Sequence, residues 1–154
     1  MSRIAEVIVL ALGNSWEVME PLLEHDDERS WKGRFVPIPS SLGGGTMYGW
    51  ASEFVRVGSR TGLLKHLESL PWERPESVQV LIHDEEDDCF GLWMIHDGKL
   101  VEIELPRTVR LHDPAPETFE FAPSPGYLVR TDQHGEDWRS HQTPKHLRDP
   151  RPAW

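Results

Sequence analysis

The chain reads as an α+β domain: a mixed or antiparallel sheet with two helices, followed by a proline-rich C-terminal tail. Three observations predict this. Short β-branched runs alternate with two stretches of helical periodicity, and an Asp-Gly pair marks a tight hairpin. Eight of the 13 prolines fall between Pro106 and Pro152, where periodicity disappears. A chain of 154 residues is the size of one domain and can bury a core without staples. The reading therefore divides it into an acidic α+β domain over 1–106, an irregular segment docked on that domain over 107–130, and an extended His/Arg/Pro-rich tail over 131–154.

Ile4 to Leu12 is apolar at nearly every position, with Glu6 the exception. A continuous β-branched run of this length predicts a central strand covered on both faces. Gly13-Asn14-Ser15 ends it, and Asn14 or Ser15 is placed to cap a helix carrying Trp16, Met19 and Leu23 at helical spacing. Pro21 interrupts that helix, so it is either kinked or split into two short pieces. Arg34-Phe35-Val36-Pro37-Ile38 reads as a short edge strand, because proline cannot donate to a ladder. The glycine-rich run Ser40 to Thr46 reads as a loop, and Trp50 to Val57 as the next strand. Ser59 or Thr61 then caps a second helix, whose stripe is Leu63, Leu64, Leu67 and Leu70 and whose stop is Pro71. Ser77 to His83 follows as a strand with Val78, Val80 and Ile82 on one face.

The hairpin from Cys89 to Leu105 is the best-defined element. Asp97-Gly98 suits a type I′ turn, which needs positive φ at both central residues. A two-residue loop fixes the register, with His96 facing Lys99, Ile95 facing Leu100 and Met94 facing Val101. One face then carries Phe90, Leu92, Met94, Val101, Ile103 and Leu105, and reads as the core side. The other carries Gly91, Trp93, Ile95, Leu100, Glu102 and Glu104, an apolar patch with an acidic margin. The element order β-α-β-β-α-β-β-β begins like the split βαβ arrangement of ferredoxin-like folds and is extended by this hairpin, with a related sandwich as the alternative.

Charge narrows the function classes. The formal net charge is −10, and through Pro106 there are 19 Asp or Glu against 9 Lys or Arg. Such a field repels nucleic acid and anionic membranes and favours basic partners. Cys89 is the single cysteine, so nothing requires an oxidising compartment. Arg3 and the apolar run after it are too short and too interrupted for a signal peptide, and no stretch approaches a membrane span. A cytoplasmic protein is the expectation.

The acidic peak is Asp84-Glu85-Glu86-Asp87-Asp88. Its spacing is not that of an EF-hand, and His83 and Cys89 give only two of the ligands a zinc site needs. Gly43-Gly44-Gly45-Thr46 lacks the lysine of a phosphate-binding loop. His25 and His96 each sit beside a carboxylate, and His83 or His96 is a candidate acid or base. His112, His134, His141 and His146 have no ligand spacing. Of the seven tryptophans, Trp16, Trp50 and Trp72 read as packing residues, and Trp31, Trp138 and Trp154 lie in polar or loop contexts that suit contact.

No catalytic, cofactor or metal signature stands out. The expected function is a non-enzymatic acidic module that binds a basic protein, with oligomeric state open. Asp84, Glu85, Glu86, Asp87 and Asp88 would steer the partner, while Trp93, Ile95, Leu100 and Glu102 would supply contact. Compact acidic α+β chains of this kind resemble, in style, bacterial immunity proteins and other inhibitors, so a basic toxin or nuclease is the natural target. No motif carries that likeness, and no residue is transferred by it. The alternatives are a metal-assisted hydrolase using His83 and the adjacent carboxylates, or a subunit that docks through its tail.

Overall fold

A computed structural model describes residues 2–39, 48–111 and 126–132. Its first eight elements run in the order read from the sequence. They are β1 (Ser2–Ala11), α1 (Ser15–Met19), β2 (Val36–Pro37), β3 (Tyr48–Arg56), α2 (Leu63–Ser69), β4 (Gln79–Asp84), β5 (Gly91–His96) and β6 (Lys99–Ile103). These strands form one sheet in the order β2-β3-β1-β4-β5-β6, with every described pairing antiparallel. The sub-order β2-β3-β1-β4 is that of the split βαβ arrangement, and the β5–β6 hairpin widens it. A separate ribbon, β7 (Thr108–Leu111) with β8 (Tyr127–Arg130), follows.

Local chemistry accounts for most departures. The proline in the first helical stretch splits it: α1 ends at Met19 and a 3₁₀ turn, Glu20–Leu22, takes Pro21 near its start, where no donor is needed. Asn14 makes no side-chain cap; its own N–H donates to the Glu73 carboxylate at 2.7 Å. Ser59 does not cap α2 either, because it lies in a 3₁₀ turn over Val57–Arg60, and Gly62 at φ 78° leads into the helix. The edge strand near Pro37 is only two residues long.

The core lies on one face of the sheet. Odd-numbered β1 residues Ala5, Val7, Val9 and Ala11 are buried against Met19, Leu22, Trp31, Phe35, Leu63 and Leu67. Trp31, one of three tryptophans whose contexts left contact open, is fully buried, edge-on to Phe35 and Phe54 with its N–H donating to His66 Nδ1 at 2.9 Å. Trp16, expected to pack, leaves 41% of its surface exposed while leaning on Trp50 and Tyr48.

Two larger expectations also fail. The hairpin register is as read, with Asp97 at φ 50° and Gly98 at φ 76°, but its faces are exchanged. Val80 is fully buried and stands opposite Trp93, so Trp93, Ile95 and Leu100 pack on the core while Val101 and Ile103 are exposed. Nor, among the described residues, is β1 covered twice. Ile4 is 42% exposed, and Ile8 and Leu10 are only half-buried.

Loop residues 40–47 and the Phe119, Phe121, His112, His134, His141, His146, Trp138 and Trp154 positions lie outside the described residues. Tyr127 and Leu128 do dock, as parts of β8.

Candidate functional site

The acidic loop is partly an internal fastening. Asp84 ends β4 on the core face, with 1% of its surface exposed. Its carboxylate meets Arg60 at 2.8 Å and Arg3 at 3.6 Å. Asp87, 8% exposed, accepts the Asp84 N–H at 3.1 Å and the Leu128 N–H at 2.8 Å, and lies 3.7 Å from Arg3. Arg3 in turn donates to the Gly126 carbonyl at 2.6 Å and lies over the Tyr127 ring. Asp88 is exposed, but its carboxylate takes the Arg130 N–H at 2.7 Å. Asp87 and Asp88 therefore hold the β7–β8 ribbon directly and Asp84 does so through Arg3, and buried carboxylates such as Asp84 and Asp87 need such partners. Glu85 and Glu86 remain at the surface.

The expected contact patch is likewise occupied. Arg110 of β7 makes a forked pair with Glu102 at 2.6 to 2.8 Å, and its guanidinium lies 5.3 Å from the Trp93 ring centre. Gly91, two residues earlier on the same face, is where the ring rests: an added Cβ would meet Trp93 at 2.8 Å.

The unassigned surface is the opposite face of the sheet. Register places three rows across it. The middle row, Val36–Ala51–Ile8–Leu81–Leu92–Ile103, spans all six strands and is wholly apolar. One flanking row is Gly49–Leu10–Gln79–Met94–Val101, with Val101 45% exposed. The other is Glu53–Glu6–His83. Among the described residues, no helix or strand lies across these rows, because the helices and the β7–β8 ribbon all pack against the core side.

The charged row opens into a depression of about 620 Å³ whose lining includes Glu6, Glu53, Ile8 and Phe90 together with Arg34 and His25. Two carboxylates directly opposite each other on neighbouring strands repel, so this row costs the fold stability. His83 is fixed beside them. The Asp87 carbonyl, 3.0 Å from Nε2, can only accept, so Nε2 carries a proton; Nδ1 faces Glu6 at 3.5 Å, and Phe90 stacks at 5.0 Å. Among the described residues no hydroxyl or thiol hydrogen-bonds to this ring, so the geometry suits holding a cation better than activating a nucleophile.

Among the described residues no three His, Cys, Asp or Glu side chains converge as metal ligands. Asp84, central to the metal-assisted reading, is committed to two arginines. Burial pushes the Cys89 thiol above its ordinary range, so it stays protonated near neutrality. His96 pairs only with exposed Asp97, at 3.6 Å. No helix in the described residues is long and apolar enough to cross a membrane.

Sequence reading missed Glu6, Glu53 and the open rows. The available signal was Glu6 itself, a charge at an even position of an otherwise apolar strand. No protein-family model matches the chain, and neither a curated protein nor a solved structure is significantly similar to it.

Proposed function

We propose that the protein is a non-enzymatic binding module that engages a basic partner protein through the open face of its sheet. An inhibitor or immunity role, neutralising a basic toxin or nuclease, is the form this reading takes most naturally. The observation that carries it is the pairing of an all-apolar row across six strands with a row of carboxylates.

Six strands at about 4.8 Å spacing and five residues of length project a face of roughly 400 Å², the carboxylate row included. A contiguous apolar patch of a few hundred Å² on a monomer is often functional. Apolar contact would supply the buried area, and Glu6, Glu53, Glu85 and Glu86 would accept Lys or Arg side chains at its edge. The net charge of −10 raises the encounter rate with a cationic partner.

Asp87 and Trp93 are poor probes of this idea, because both hold the fold together. The better test is fluorescence anisotropy with a labelled peptide of alternating lysine and leucine, comparing E6K/E53K with the equally charged control E17K/E20K, which lies on the α1 side. Loss of roughly tenfold or more in affinity, worth about 1.4 kcal/mol, in the first variant alone supports the reading. Equal losses in both variants, or none, oppose it.

A further inference from the structure

We propose that the chain's own C-terminal segment, Arg139 to Trp154, occupies this open face in the same molecule and competes there with the partner. The inference rests on the binding-face reading and names a first ligand for it.

Charge is the first argument. Residues 139–154 carry four Lys or Arg (Arg139, Lys145, Arg148 and Arg151) against one acidic residue, Asp149. The preceding 138 residues carry 25 Asp or Glu against 12 Lys or Arg. The segment is thus a basic stretch of an acidic chain, and Leu147 and Trp154 give it apolar anchors. Those are the properties the open face requires of a ligand: carboxylates on one row and an apolar floor beside them.

Position is the second argument. β8 is fastened to the acidic loop through Asp87 and Asp88, and Thr131 donates to the Arg107 carbonyl. That loop follows Asp84, whose ladder partner Ala5 is the neighbour of Glu6. The chain therefore leaves the ribbon near the end of the sheet where the carboxylate row lies, on the core side, and rounds that end to reach the open face. Lys145 is 13 residues beyond Asp132, and an extended chain of that length reaches up to about 43 Å, more than the width of a six-stranded sheet.

A segment that mimics the partner lowers apparent affinity by the fraction of time it occupies the site. Partner binding then requires displacement of the tail.

Zero-length carbodiimide coupling of the full chain, followed by peptide mass mapping, tests the proposal. The expected result is Lys145 joined to Glu6 or Glu53 in monomeric protein. That product should vanish in E6Q/E53Q and fall as ionic strength rises to about 0.5 M, where the screening length is below roughly 5 Å. Products at Lys65 and Lys99 report that each variant is folded. Coupling of Lys145 elsewhere, no coupling, or coupling only in covalent dimers overturns it. A second arm separates this failure from failure of the face itself: synthetic peptide 139–154 is added to full-length R139E/K145E/R148E/R151E. Methyl shifts at Ile8 and Val101 there, with no native cross-link, would sink the tail proposal and leave the binding face standing. No shifts and no cross-link would sink both.

Discussion

Glu6 of β1 and Glu53 of β3 stand directly opposite each other in the ladder, on a face whose neighbouring row is entirely apolar. Neither folding nor solubility calls for that arrangement, since one carboxylate would serve as well. Replacing Glu53 by Gln should therefore raise stability by a few tenths to about 1 kcal/mol, read from urea unfolding at neutral pH, while lowering affinity for cationic peptide. If both stability and affinity fall, the pair is structural.

Asp84 should behave in the opposite way. Its carboxylate neutralises Arg3 and Arg60 in the interior, so Asp84→Ala leaves buried cations and should cost about 3–5 kcal/mol. Glu86→Ala, two residues on and exposed, should change stability by less than about 0.5 kcal/mol. Denaturation midpoints of the two variants, measured side by side, decide whether the acidic run divides as described.

Gly91 tests the seat of Trp93. A methyl at this position would come within 2.8 Å of the ring and 3.1 Å of Arg110, so Gly91→Ala should cost about 1–3 kcal/mol. Loss of near-ultraviolet ellipticity is the readout that assigns the effect to Trp93.

His66 accepts the Trp31 N–H, and burial followed by the nearby Arg29 charge holds its pKa below the ordinary 6.5. The unfolded chain therefore takes up the proton first as pH falls. The stabilising contribution is present above pH 6.5 and is lost as pH falls through the depressed folded value. Unfolding midpoints of wild type and His66→Gln between pH 8 and 5 should diverge at the alkaline end and converge toward the acid one. At neutral pH, His66→Ala should cost about 1–3 kcal/mol by stranding the buried indole N–H.

The elements that were legible in the sequence are those set by near neighbours. Asp97-Gly98 fixed a register, and the Leu63, Leu64 and Leu67 stripe marked α2, because turn geometry and helical periodicity act within a few residues. Which face of the hairpin is inside was not legible. Trp93, Ile95 and Leu100 on one side and Leu92, Met94, Val101 and Ile103 on the other are equally apolar, so alternation carries no information. The choice is made by the Val80–Trp93 pairing. Asp84 and Asp87 were misplaced for a related reason: their partner Arg3 lies about 80 residues away in sequence. β7 and β8 escaped notice because each is four residues long and 15 residues separate them. The open face was hidden by the same continuous apolar run that made β1 obvious, since a strand buried on both sides reads identically.

If the sheet is covered on one side and binds on the other, a cationic apolar ligand must seat on the even-numbered rows of β1. Methyl NMR of the full chain, titrated with the lysine–leucine peptide, tests it most directly. Saturable shifts are expected at Ile8, Leu81, Leu92, Val101 and Ile103, with Val7, Val9 and Val80 unmoved. Saturable shifts centred on Leu63, Leu67 and Val9, or no saturable shift anywhere on the even-numbered rows of β1, would contradict it.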